Sequence, residues 1–515
     1  MSAPRAAVYD RFWRSRGGGE RHAGMIAQVL REDGVEVELL GHEPVDLAEM
    51  AGYLGLDLSG CTYRQLPDLP ELELAEATEG YDLVVNATYT SRLRPRSRRS
   101  AYLCFFPTPA DHDLDPLRRA AVRLLGPALR GTVTTLGAGP GWYLPEGRWL
   151  GRSTWTSGDA ELLLPPGPRR LGFSAGRPGN SEPTTLTFVA DDGRVLAEVP
   201  VAERFAAHKL DLGTASRRGS VRLRSSTFLP AGGVDTRQLG VSIKSLRLVG
   251  RSSVRELAMT RLPYLTRDPR DLSWLEPYRT VMANSEYTRG WVQKLWRTDA
   301  DVLYPPVQTA GLVPAATRDP VVLALGRFFT PGRGHAKRQL EMVQTFAALS
   351  RSGALPGWRM AVVGGCEGSQ EPYLREVIAA GAGTPVEVIP NATRAEVERL
   401  LQTASVFWSA TGWGEDGAKK PWTAEHFGMS TVEAMAGGCV PVVIDRAGQR
   451  EIVRDGVEGF RFETLEQMGQ RTVQLAGDDG LRARLSAAAV PRAHAYDEDA
   501  FRTRWRAIVA EHDLL

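Results

Sequence analysis

Cysteine is scarce in this sequence, with four residues among 515: Cys61, Cys104, Cys366 and Cys439. They lie far apart, no two form a Cys-x-x-Cys pair, and no histidine stands beside them at a metal-ligand spacing. Neither a disulfide framework nor a structural zinc site is therefore expected. We predict four free thiols in a reducing compartment.

Long apolar runs are also missing. No stretch approaches the roughly 18–20 apolar residues that a membrane-spanning helix requires. The first residues, MSAPRAAVYDRFW, do not contain the apolar segment of a signal peptide. These two absences favour a cytoplasmic protein.

Neither sign of charge is in clear excess. Lysine and arginine (63) nearly balance aspartate and glutamate (61), which leaves a formal net charge of +2. A general nucleic-acid binder needs a strong basic excess to neutralise phosphates. We therefore expect no nucleic-acid partner.

What the sequence does contain is an alternation of strand and helix patterns. It runs to about residue 131 and returns from Val281, where VLAL, MAVVGG and VPVVI are typical of buried parallel strands. Between about 132 and 250, β-rich segments such as TTLTFVADDG and SVRLRSSTF are separated by Gly, Pro and Asp turns. That pattern is typical of an antiparallel sandwich. We predict an α/β chain of two domains with a β-sandwich inserted in the first.

A glycine-rich turn, Gly17-Gly18-Gly19-Glu20, follows the first predicted strand and precedes a helical pattern. Glycines there let backbone amides approach an anion, and the start of a helix adds partial positive charge. The stretch is neither G-x-G-x-x-G nor a Walker loop, so NAD and ATP are not indicated. A flexible turn is the alternative interpretation.

Two cations follow a second predicted strand, which ends at Gly326. Arg327 comes directly after it, and Lys337 opens the helical pattern KRQLEMVQTFAAL. Ligands of open α/β sheets bind at the carboxyl ends of strands, and a guanidinium with an ammonium suits a diphosphate. Solvated charges at a helix start are the alternative interpretation.

The segment EHFGMSTVEAMAGG begins at Glu425 and carries a second carboxylate at Glu433. Ser430 and Glu433 fit the capping box S-x-x-E, with Ser430 as the N-cap of a helix. A cap does not account for Glu425 in the preceding loop. A helix start that binds phosphate, bracketed by carboxylates that accept from hydroxyls, suits a sugar nucleotide.

These motifs resemble those of the family 4 retaining glycosyltransferases. The spacing of Glu425 and Glu433 is similar to the family's E-x7-E motif, and AGQREIVRDG is similar to its GG-x-x-E-I-V-x-x-G stretch. RGGGERHAG, GRFF…HAKRQLEM and TGWGEDG…KPWTAEHFGMSTVEAMAGG resemble a subgroup that includes lipid-linked-oligosaccharide mannosyltransferases. The resemblance covers roughly residues 1–130 and 255–515.

The resemblance implies the GT-B fold, two Rossmann-like domains that face a cleft. We predict an N-terminal acceptor domain at 1–131 and 251–305, the inserted β-sandwich at 132–250, and a C-terminal donor-binding domain at 306–493. A final helix at 494–515 is expected to cross back to the first domain.

The resemblance also implies roles for the site residues. Arg327 and Lys337 would neutralise the donor diphosphate, Glu425 would bind the donor sugar, and Glu433 would accept from ribose hydroxyls. The predicted catalytic residues are thus Glu425, Arg327 and Lys337. The predicted donor-binding residues are Gly18, Gly19, Arg327, Lys337, Glu425, Phe427, Gly428, Met429, Ser430, Thr431 and Glu433. The reaction would need no metal and no cofactor, because the nucleotide sugar is a co-substrate.

One stretch departs from the family pattern. Members often carry a histidine in a Tyr-Val-His-Tyr-Pro-like segment, whereas this chain reads LCFFP and has Phe105 at that position. His112 is a candidate replacement, with a solvated loop histidine as the alternative, and Arg21 is a second candidate on the acceptor side. Asp111-His112-Asp113 has the spacing of a metal site, but no metal is expected there.

Two further segments carry hypotheses of their own. Trp142, Trp149 and Trp155 in the insert would stack on sugar rings if exposed, while core packing or an oligomerisation surface is the alternative. The run Arg92–Arg99 holds five arginines in eight positions. It is either a solvated loop or a peripheral contact with the anionic inner face of a membrane.

The function that we predict is transfer of a hexose, with retention, to a glycan or polyprenyl-linked acceptor in cell-envelope polysaccharide or glycolipid synthesis. The subgroup favours GDP-mannose as the donor. The alternatives are a nucleotide-sugar epimerase of the same fold and a non-catalytic glycan-binding protein. The sequence leaves the oligomeric state open.

Overall fold

A computed structural model describes residues 3–15, 17–67, 74–129, 136–143, 145–146, 153–164, 167–180, 182–190, 192–215, 219–230, 235, 237–249, 262–331 and 336–515. The chain forms two compact units. The N-terminal unit comprises Met1–Leu103, Thr108–Thr280 and Leu514–Leu515, and the C-terminal unit comprises Cys104–Pro107 and Val281–Asp513. The domain boundaries expected from the sequence stay a prediction.

The N-terminal unit begins with a parallel α/β layer. Its strands are β1 (Arg5–Tyr9), β2 (Glu36–Gly41), β3 (Thr62–Gln65), β4 (Leu83–Asn86) and β5 (Arg99–Cys104), and its helices are α1 (Gly18–Glu32), α2 (Leu47–Leu54) and α3 (Pro116–Leu129). The strands lie in the order β5-β4-β1-β2-β3, and each neighbouring pair is parallel. Four of the five residues of β1 are buried, as its apolar sequence predicts for a central strand.

Antiparallel strands follow in the same unit. They are β6 (Gly137–Ala138), β7 (Ser153–Trp155), β8 (Asp159–Leu164), β9 (Gly167–Gly176), β10 (Thr184–Ala190), β11 (Val195–Val201), β12 (Ala206–Ala215), β13 (Gly219–Arg224) and β14 (Ser242–Leu248). One sheet has the order β11-β10-β13-β8-β6 and the other β12-β9-β14-β7. Phe173 and Phe188, one from each sheet, belong to a shared core, and their ring centroids are 5.7 Å apart. The stretch therefore has the two-sheet architecture that its period-two pattern predicts.

The tryptophans of this stretch are buried, so the hypothesis of exposed stacking platforms is wrong for those that the structure describes. Trp142 and Trp155 are 4% and 7% exposed. The Trp142 indole donates to the carbonyl of Glu161 at 2.6 Å, and Trp155 packs edge-on against Phe228. Trp149 lies outside the described residues.

The C-terminal unit is built on a six-stranded parallel sheet. This part of the chain contains eight strands: β15 (Thr280–Ala283), β16 (Asp301–Val302), β17 (Asp319–Leu325), β18 (Arg359–Gly364), β19 (Val386–Pro390), β20 (Ala404–Ser409), β21 (Val440–Ile444) and β22 (Phe460–Phe462). The last six form the sheet in the order β19-β18-β17-β20-β21-β22, with parallel pairing throughout, while β15 pairs with β16.

Nine helices of the described residues accompany these strands. They are α4 (Glu286–Trp296), α5 (Gln339–Arg351), α6 (Glu371–Gly381), α7 (Arg394–Thr403), α8 (Met429–Ala436), α9 (Gln449–Ile452), α10 (Leu465–Gly477), α11 (Asp479–Ala493) and α12 (Glu498–Glu511). Apolar residues of the central strands, such as Val322 and Phe407, are at most 1% exposed because helices cover both faces of the sheet.

All four cysteines are free thiols, as predicted. Among the described residues, no helix combines the length and the apolar character that crossing a bilayer requires.

Candidate active site

The site of the C-terminal unit is built around the first turn of α8. Gly428 is the N-cap of this helix and has a φ of +119°, in the region that disfavours side chains. A Cβ at this position would lie 2.6 Å from Nε2 of Gln449. Glycine is required here both for the backbone angle and for the space.

The predicted capping box at this helix is wrong. The helix begins at Met429, so Ser430 lies in its first turn rather than at the cap, and no side chain caps it. Glu433 is the fifth helical residue, where its carboxylate cannot reach the N-cap amide. The left-handed backbone of Gly428 moves the helix start two residues earlier than the S-x-x-E pattern indicates.

The Glu433 carboxylate has a cationic partner instead of a capping role. It accepts from the Arg394 guanidinium at 3.4 Å, and its side chain is 16% exposed. Arg394 is the first residue of α7 and also pairs with Glu398 at 2.7 Å. Arg394 therefore holds the Glu433 carboxylate in the middle of α8.

Glu425 and Lys337 form the central ion pair of the site. The Lys337 ammonium donates to Oε2 of Glu425, and both side chains are partly buried. Thr411 donates to the same oxygen at 3.2 Å. The lysine stem passes Gly326, where an added Cβ would lie 2.8 Å from Cγ of Lys337. The sequence separation of 88 residues is closed because β17 and β20 are neighbours in the sheet.

Arg327 follows β17 directly, as the sequence predicts, and its side chain is exposed. The guanidinium lies 5.0 Å from the ring centroid of Phe329. The turn is fixed by Gln339, whose side-chain amide donates to the carbonyls of Gly326 and Arg327 at 3.0 Å each. Arg327 is thus a cation on a rigid turn at the carboxyl end of the central strand.

Arg338 plays a structural role that sequence reasoning missed. The helix α5 begins at Gln339, and Arg338 is its N-cap with a φ of +60°. Its buried guanidinium pairs with Glu415 at 2.7 Å and with Glu341 at 3.1 Å. It is therefore not a solvated charge: it joins α5 to the loop after β20. The partner lies 77 residues away, which no local pattern reveals.

The short helix α9 completes the surroundings of α8. Gln449 is fully buried and accepts from the Thr431 hydroxyl at 3.0 Å. The Thr431 side chain is therefore engaged within the protein. The ring of Phe427 is 3% exposed and packs between Tyr304 and Tyr496, so a contact with a donor would have to come from its backbone.

Glu451, in the stretch similar to the family's E-I-V motif, supports the helix α4. Its carboxylate accepts from the amides of Glu286 and Tyr287 at 2.9 and 2.7 Å and from the Tyr304 hydroxyl at 3.0 Å. Burial raises the pKa of Glu451, while these donors act in the opposite direction. The residue is a capping group for the first turn of α4.

His426, between Glu425 and Phe427, is a second residue that sequence reasoning missed. It is 6% exposed, and its ring stacks on Phe106 with centroids 4.3 Å apart. Phe106 belongs to the LCFFP stretch. The ring centroids of Tyr287 and His426 are 6.3 Å apart. The departure from the family pattern at LCFFP is thus accompanied by an aromatic contact with the E-x7-E segment.

In the N-terminal unit, Gly18 and Gly19 are the first residues of α1, and Gly17 is its N-cap. A carboxylate oxygen of Glu20 accepts from the Gly17 amide at 2.5 Å. Asp10, at the end of β1, is 1% exposed. Burial, and next the charge of Glu20, raise the pKa of Asp10 well above its ordinary range. The glycine-rich turn therefore has two carboxyl groups as neighbours.

The two acceptor-side candidates face the protein itself. Arg21 is 7% exposed, and its guanidinium donates to the carbonyl of Leu54 at the end of α2. His112 is half-buried, with Nδ1 lying 3.0 Å from the carbonyl of Pro109. Asp113 beside it pairs with Arg267 at 3.1 Å. Their proposed roles toward an acceptor stay predictions.

Residues 313–490 match the family "Glycosyl transferases group 1". They include Arg327, Lys337, Glu425 and Glu433. This segment is a group 1 glycosyltransferase domain, and the resemblance noted in the sequence is confirmed. The match leaves the N-terminal unit outside it.

A curated relative and two solved structures are similar to this chain. GDP-Man:Man(3)GlcNAc(2)-PP-Dol alpha-1,2-mannosyltransferase of Mus musculus is 25% identical over 232 residues, 41% of this chain and 44% of the relative. The match thus spans less than half the length of that relative. HepE of Anabaena, solved with UDP and glucose, has a TM-score of 0.52 at 12% identity and covers 99% of this chain and 100% of its own. Sucrose-phosphate synthase of Thermosynechococcus elongatus has a TM-score of 0.50 at 11% identity, with 99% and 98% covered. These likenesses show the GT-B fold.

Proposed function

We propose that this protein is a retaining glycosyltransferase that moves a hexose from a nucleotide-diphosphate sugar to a glycan or lipid-linked acceptor. The observation that carries the proposal is the Lys337–Glu425 ion pair at the start of α8, inside the group 1 glycosyltransferase domain. A cation and a carboxylate are there placed side by side, one for a phosphate and one for sugar hydroxyls.

The charges of the site support this division of roles. Arg327 and Lys337 stand at the carboxyl end of β17 and would stabilise the negative charge of the departing nucleotide diphosphate, which is the largest single contribution in many enzymes. The first amides of α8 have no carbonyl partner within the helix and suit a phosphate oxygen. With these groups present, the proposed reaction needs no metal ion.

The two glutamates would bind the two ends of the donor. Glu425, whose carboxylate is held by Lys337 and Thr411, would accept from a hydroxyl of the sugar. Glu433, oriented by Arg394, would accept from the ribose hydroxyls. The backbones of Gly428, Met429 and Ser430 would complete the contacts.

The donor that we favour is GDP-mannose. The name of the mouse relative specifies GDP-mannose as its donor, whereas HepE was solved with UDP and glucose. Since the relative acts on a dolichyl-diphosphate-linked glycan by its name, a lipid-linked acceptor in cell-envelope polysaccharide or glycolipid synthesis is the acceptor that we propose.

A contact with the membrane through Arg92–Arg99 is a separate part of the proposal. Several of these guanidiniums already have acceptors in the protein: Arg94 pairs with Glu276 at 3.0 Å and Arg96 with Glu79 at 2.9 Å. All of these groups remain at least one third exposed, so solvent screens the pairs and leaves the arginines able to meet anionic lipid.

The experiment that tests the proposed function measures nucleotide release from GDP-mannose and UDP-glucose in the presence of a cell-envelope lipid fraction. Lys337→Ala is expected to lower turnover about 10²–10³-fold, as loss of one group that stabilises transition-state charge does. Lys209→Ala, an exposed lysine on β12, is the matched control and should leave turnover unchanged.

Three outcomes would contradict the proposal in different ways. Unchanged turnover in Lys337→Ala would remove the diphosphate role of this lysine. Conversion of the donor to its epimer without transfer would identify a nucleotide-sugar epimerase. Absence of nucleotide binding in calorimetry would favour a non-catalytic glycan-binding protein.

A further inference from the structure

A polar groove of about 520 Å³ lies in the C-terminal unit, apart from the donor-binding residues. Asp445 and Glu463, which follow β21 and β22 directly, form one wall, and glutamines and Arg471 of α10 form the other. Every side chain that lines it ends in a planar carboxylate, amide or guanidinium. The groove is thus at the carboxyl edge of the sheet, where α/β proteins bind ligands.

Part of this polar lining is fixed by contacts within the protein. Asp445 pairs with Arg450 at 2.8 Å and with Arg461 at 3.3 Å. The side-chain oxygen of Gln467 accepts from the Glu463 amide at 2.8 Å. The Arg471 guanidinium lies 4.5 Å from the ring centroid of Phe460. These contacts orient the walls before any ligand arrives, which lowers the entropic cost of binding.

The hydrogen-bonding capacity that is left includes acceptors. Within the described part of the chain, no hydrogen bond or ion pair is recorded for the Glu463 carboxylate. The Gln470 amide nitrogen donates to Glu466 at 3.2 Å, so its carbonyl oxygen remains available. Oδ1 of Asp455 accepts from the Arg461 amide at 2.8 Å, which leaves Oδ2.

The remaining capacity also includes donors. The side-chain oxygen of Gln474 accepts from Arg471 at 3.2 Å, so its amide nitrogen is still available. The same holds for the amide nitrogen of Gln467, whose oxygen is engaged. Nε of Arg461 is buried and has no partner among the described residues. The lining therefore offers both donors and acceptors to one groove.

This mixture selects the chemistry of the ligand. A phosphate or carboxylate would meet the three carboxylates of the groove, and a metal ion would meet its two guanidiniums, so each would face repulsion from part of the lining. A hydroxyl group both donates and accepts. Neighbouring hydroxyls of a sugar can therefore pair with the two heteroatoms of a planar end group, and a neutral sugar matches the whole set.

The groove is joined to the donor-binding residues through α9. Gln449 of this helix contacts Gly428 and Thr431 at the start of α8, and the next residue, Arg450, pairs with Asp445 in the wall of the groove. One turn of helix thus separates the two places. A glycan of several sugar units is long enough to occupy a groove at that separation from the reaction centre.

We propose that this groove is a further carbohydrate site, which binds a neutral sugar residue of the glycan carried by the acceptor. The link to the acceptor rests on the proposed transferase function, whereas the ability to bind a neutral sugar does not. The groove would hold the glycan at a distance from the reacting end and favour long acceptors over short ones.

The test uses the full chain and neutral oligosaccharides, mannohexaose and maltohexaose, in titrations followed by calorimetry and saturation-transfer NMR. The variant Glu463→Ala/Gln474→Ala removes one acceptor and one donor of the groove. The matched control, Glu376→Ala/Gln344→Ala, removes the same two residue types from exposed positions on α6 and α5. The groove variant is expected to bind the oligosaccharide at least tenfold more weakly, and the control to bind it as the parent chain does.

Nucleotide binding, measured on the same three proteins, separates this proposal from the proposed function. Unchanged nucleotide binding in the groove variant is expected, because its two residues lie outside the donor-binding set. Oligosaccharide binding that is equal in the groove variant and the parent, or absent from the parent, would overturn the carbohydrate site. So would inorganic phosphate that binds the parent and not the groove variant. A parent chain that binds the oligosaccharide but shows no glycosyl transfer would instead count against the transferase function alone.

Discussion

Two helices of this protein begin at a glycine that follows a parallel strand, and their surroundings differ in charge. At α8 the N-cap is Gly428, and the ion pair of Lys337 and Glu425 stands beside it. At α1 the N-cap is Gly17, its amide is taken by Glu20, and the nearby carboxyl of Asp10 is buried.

The charges at these two helix starts indicate which of them is better suited to bind an anion. At α8, the Lys337 ammonium is bound to Glu425, and the Glu425 side chain lies beside the glycine cap. At α1, Glu20 already satisfies the Gly17 amide, and burial raises the pKa of the neighbouring Asp10 well above its ordinary range. We infer that α8 carries the main diphosphate contacts and that Gly18 and Gly19 contribute backbone contacts only.

The largest effect that we expect is a pH dependence of stability that arises in α1. His22 in this helix is fully buried, and burial lowers its pKa from 6.5 to about 3. Because the folded-state pKa is lowered, the contribution of neutral His22 to stability is fully present above pH 6.5. It is lost as the pH falls toward 3. At about 1.4 kcal/mol for each pKa unit, the loss reaches about 5 kcal/mol below pH 3.

His22→Leu should remove this slope. Free energies of unfolding from urea titrations between pH 7 and 4 measure it, with hydrogen exchange of peptides from α1 and α8 to assign it to a unit. Asp10→Asn is the control of opposite sign, since a raised carboxyl pKa costs stability as the pH rises above 3.8. An equal slope in parent and His22→Leu would show that burial of His22 does not govern the acid sensitivity of α1.

The two glycine caps provide the next largest effect. Gly428→Ala forces a side chain into a positive φ and against Gln449, so a loss of about 2 kcal/mol and of nucleotide binding is expected. Gly17 has a φ of −94°, an extended conformation open to any residue, so Gly17→Ala should cost about 1 kcal/mol or less. Hydrogen exchange of the two helices and nucleotide calorimetry check both values. Equal losses of stability in Gly428→Ala and Gly17→Ala would show that the positive φ of Gly428 does not set the two caps apart.

Most of the architecture could be predicted because it depends on local patterns. The first predicted strand is β1, and the apolar segments VLAL and VPVVI lie in β17 and β21. A buried parallel strand needs a continuous apolar run, and that run is visible in the sequence. The antiparallel stretch could likewise be predicted from its period-two pattern and its turn residues.

What could not be predicted depends on backbone angles and on distant partners. The pattern S-x-x-E at Ser430 is the same whether or not a preceding glycine adopts a positive φ, and that angle decides where α8 begins. The sequence likewise does not show that Arg338 meets Glu415, or that His426 stacks on Phe106. Arg338 meets Glu415 because β17 and β20 are neighbours in the sheet, which brings together loops that are far apart in the chain.

A smaller effect is expected at Glu433, whose pairing with Arg394 distinguishes α8 from α1. Glu433→Ala should weaken nucleotide binding about tenfold, which corresponds to about 1.4 kcal/mol. Helix stability should change little, because this carboxylate does not cap the helix. Calorimetry with GDP and UDP measures the affinity. A loss of stability with unchanged nucleotide affinity would show that Glu433 has a structural role and does not contact the ribose.

The smallest effect concerns the cap itself. Since Ser430 lies inside the first turn of α8, Ser430→Ala is expected to change the free energy of unfolding by less than about 0.5 kcal/mol. The same chain offers a true capping box as the matched control: Thr393 accepts from the Glu396 amide at 3.3 Å, and Glu396 accepts from the Thr393 amide at 2.8 Å. Thr393→Ala should therefore cost about 1 kcal/mol. Urea titrations of the two variants decide the point, because equal losses would mean that α8 is capped by its serine and that Gly428 is not what sets its start.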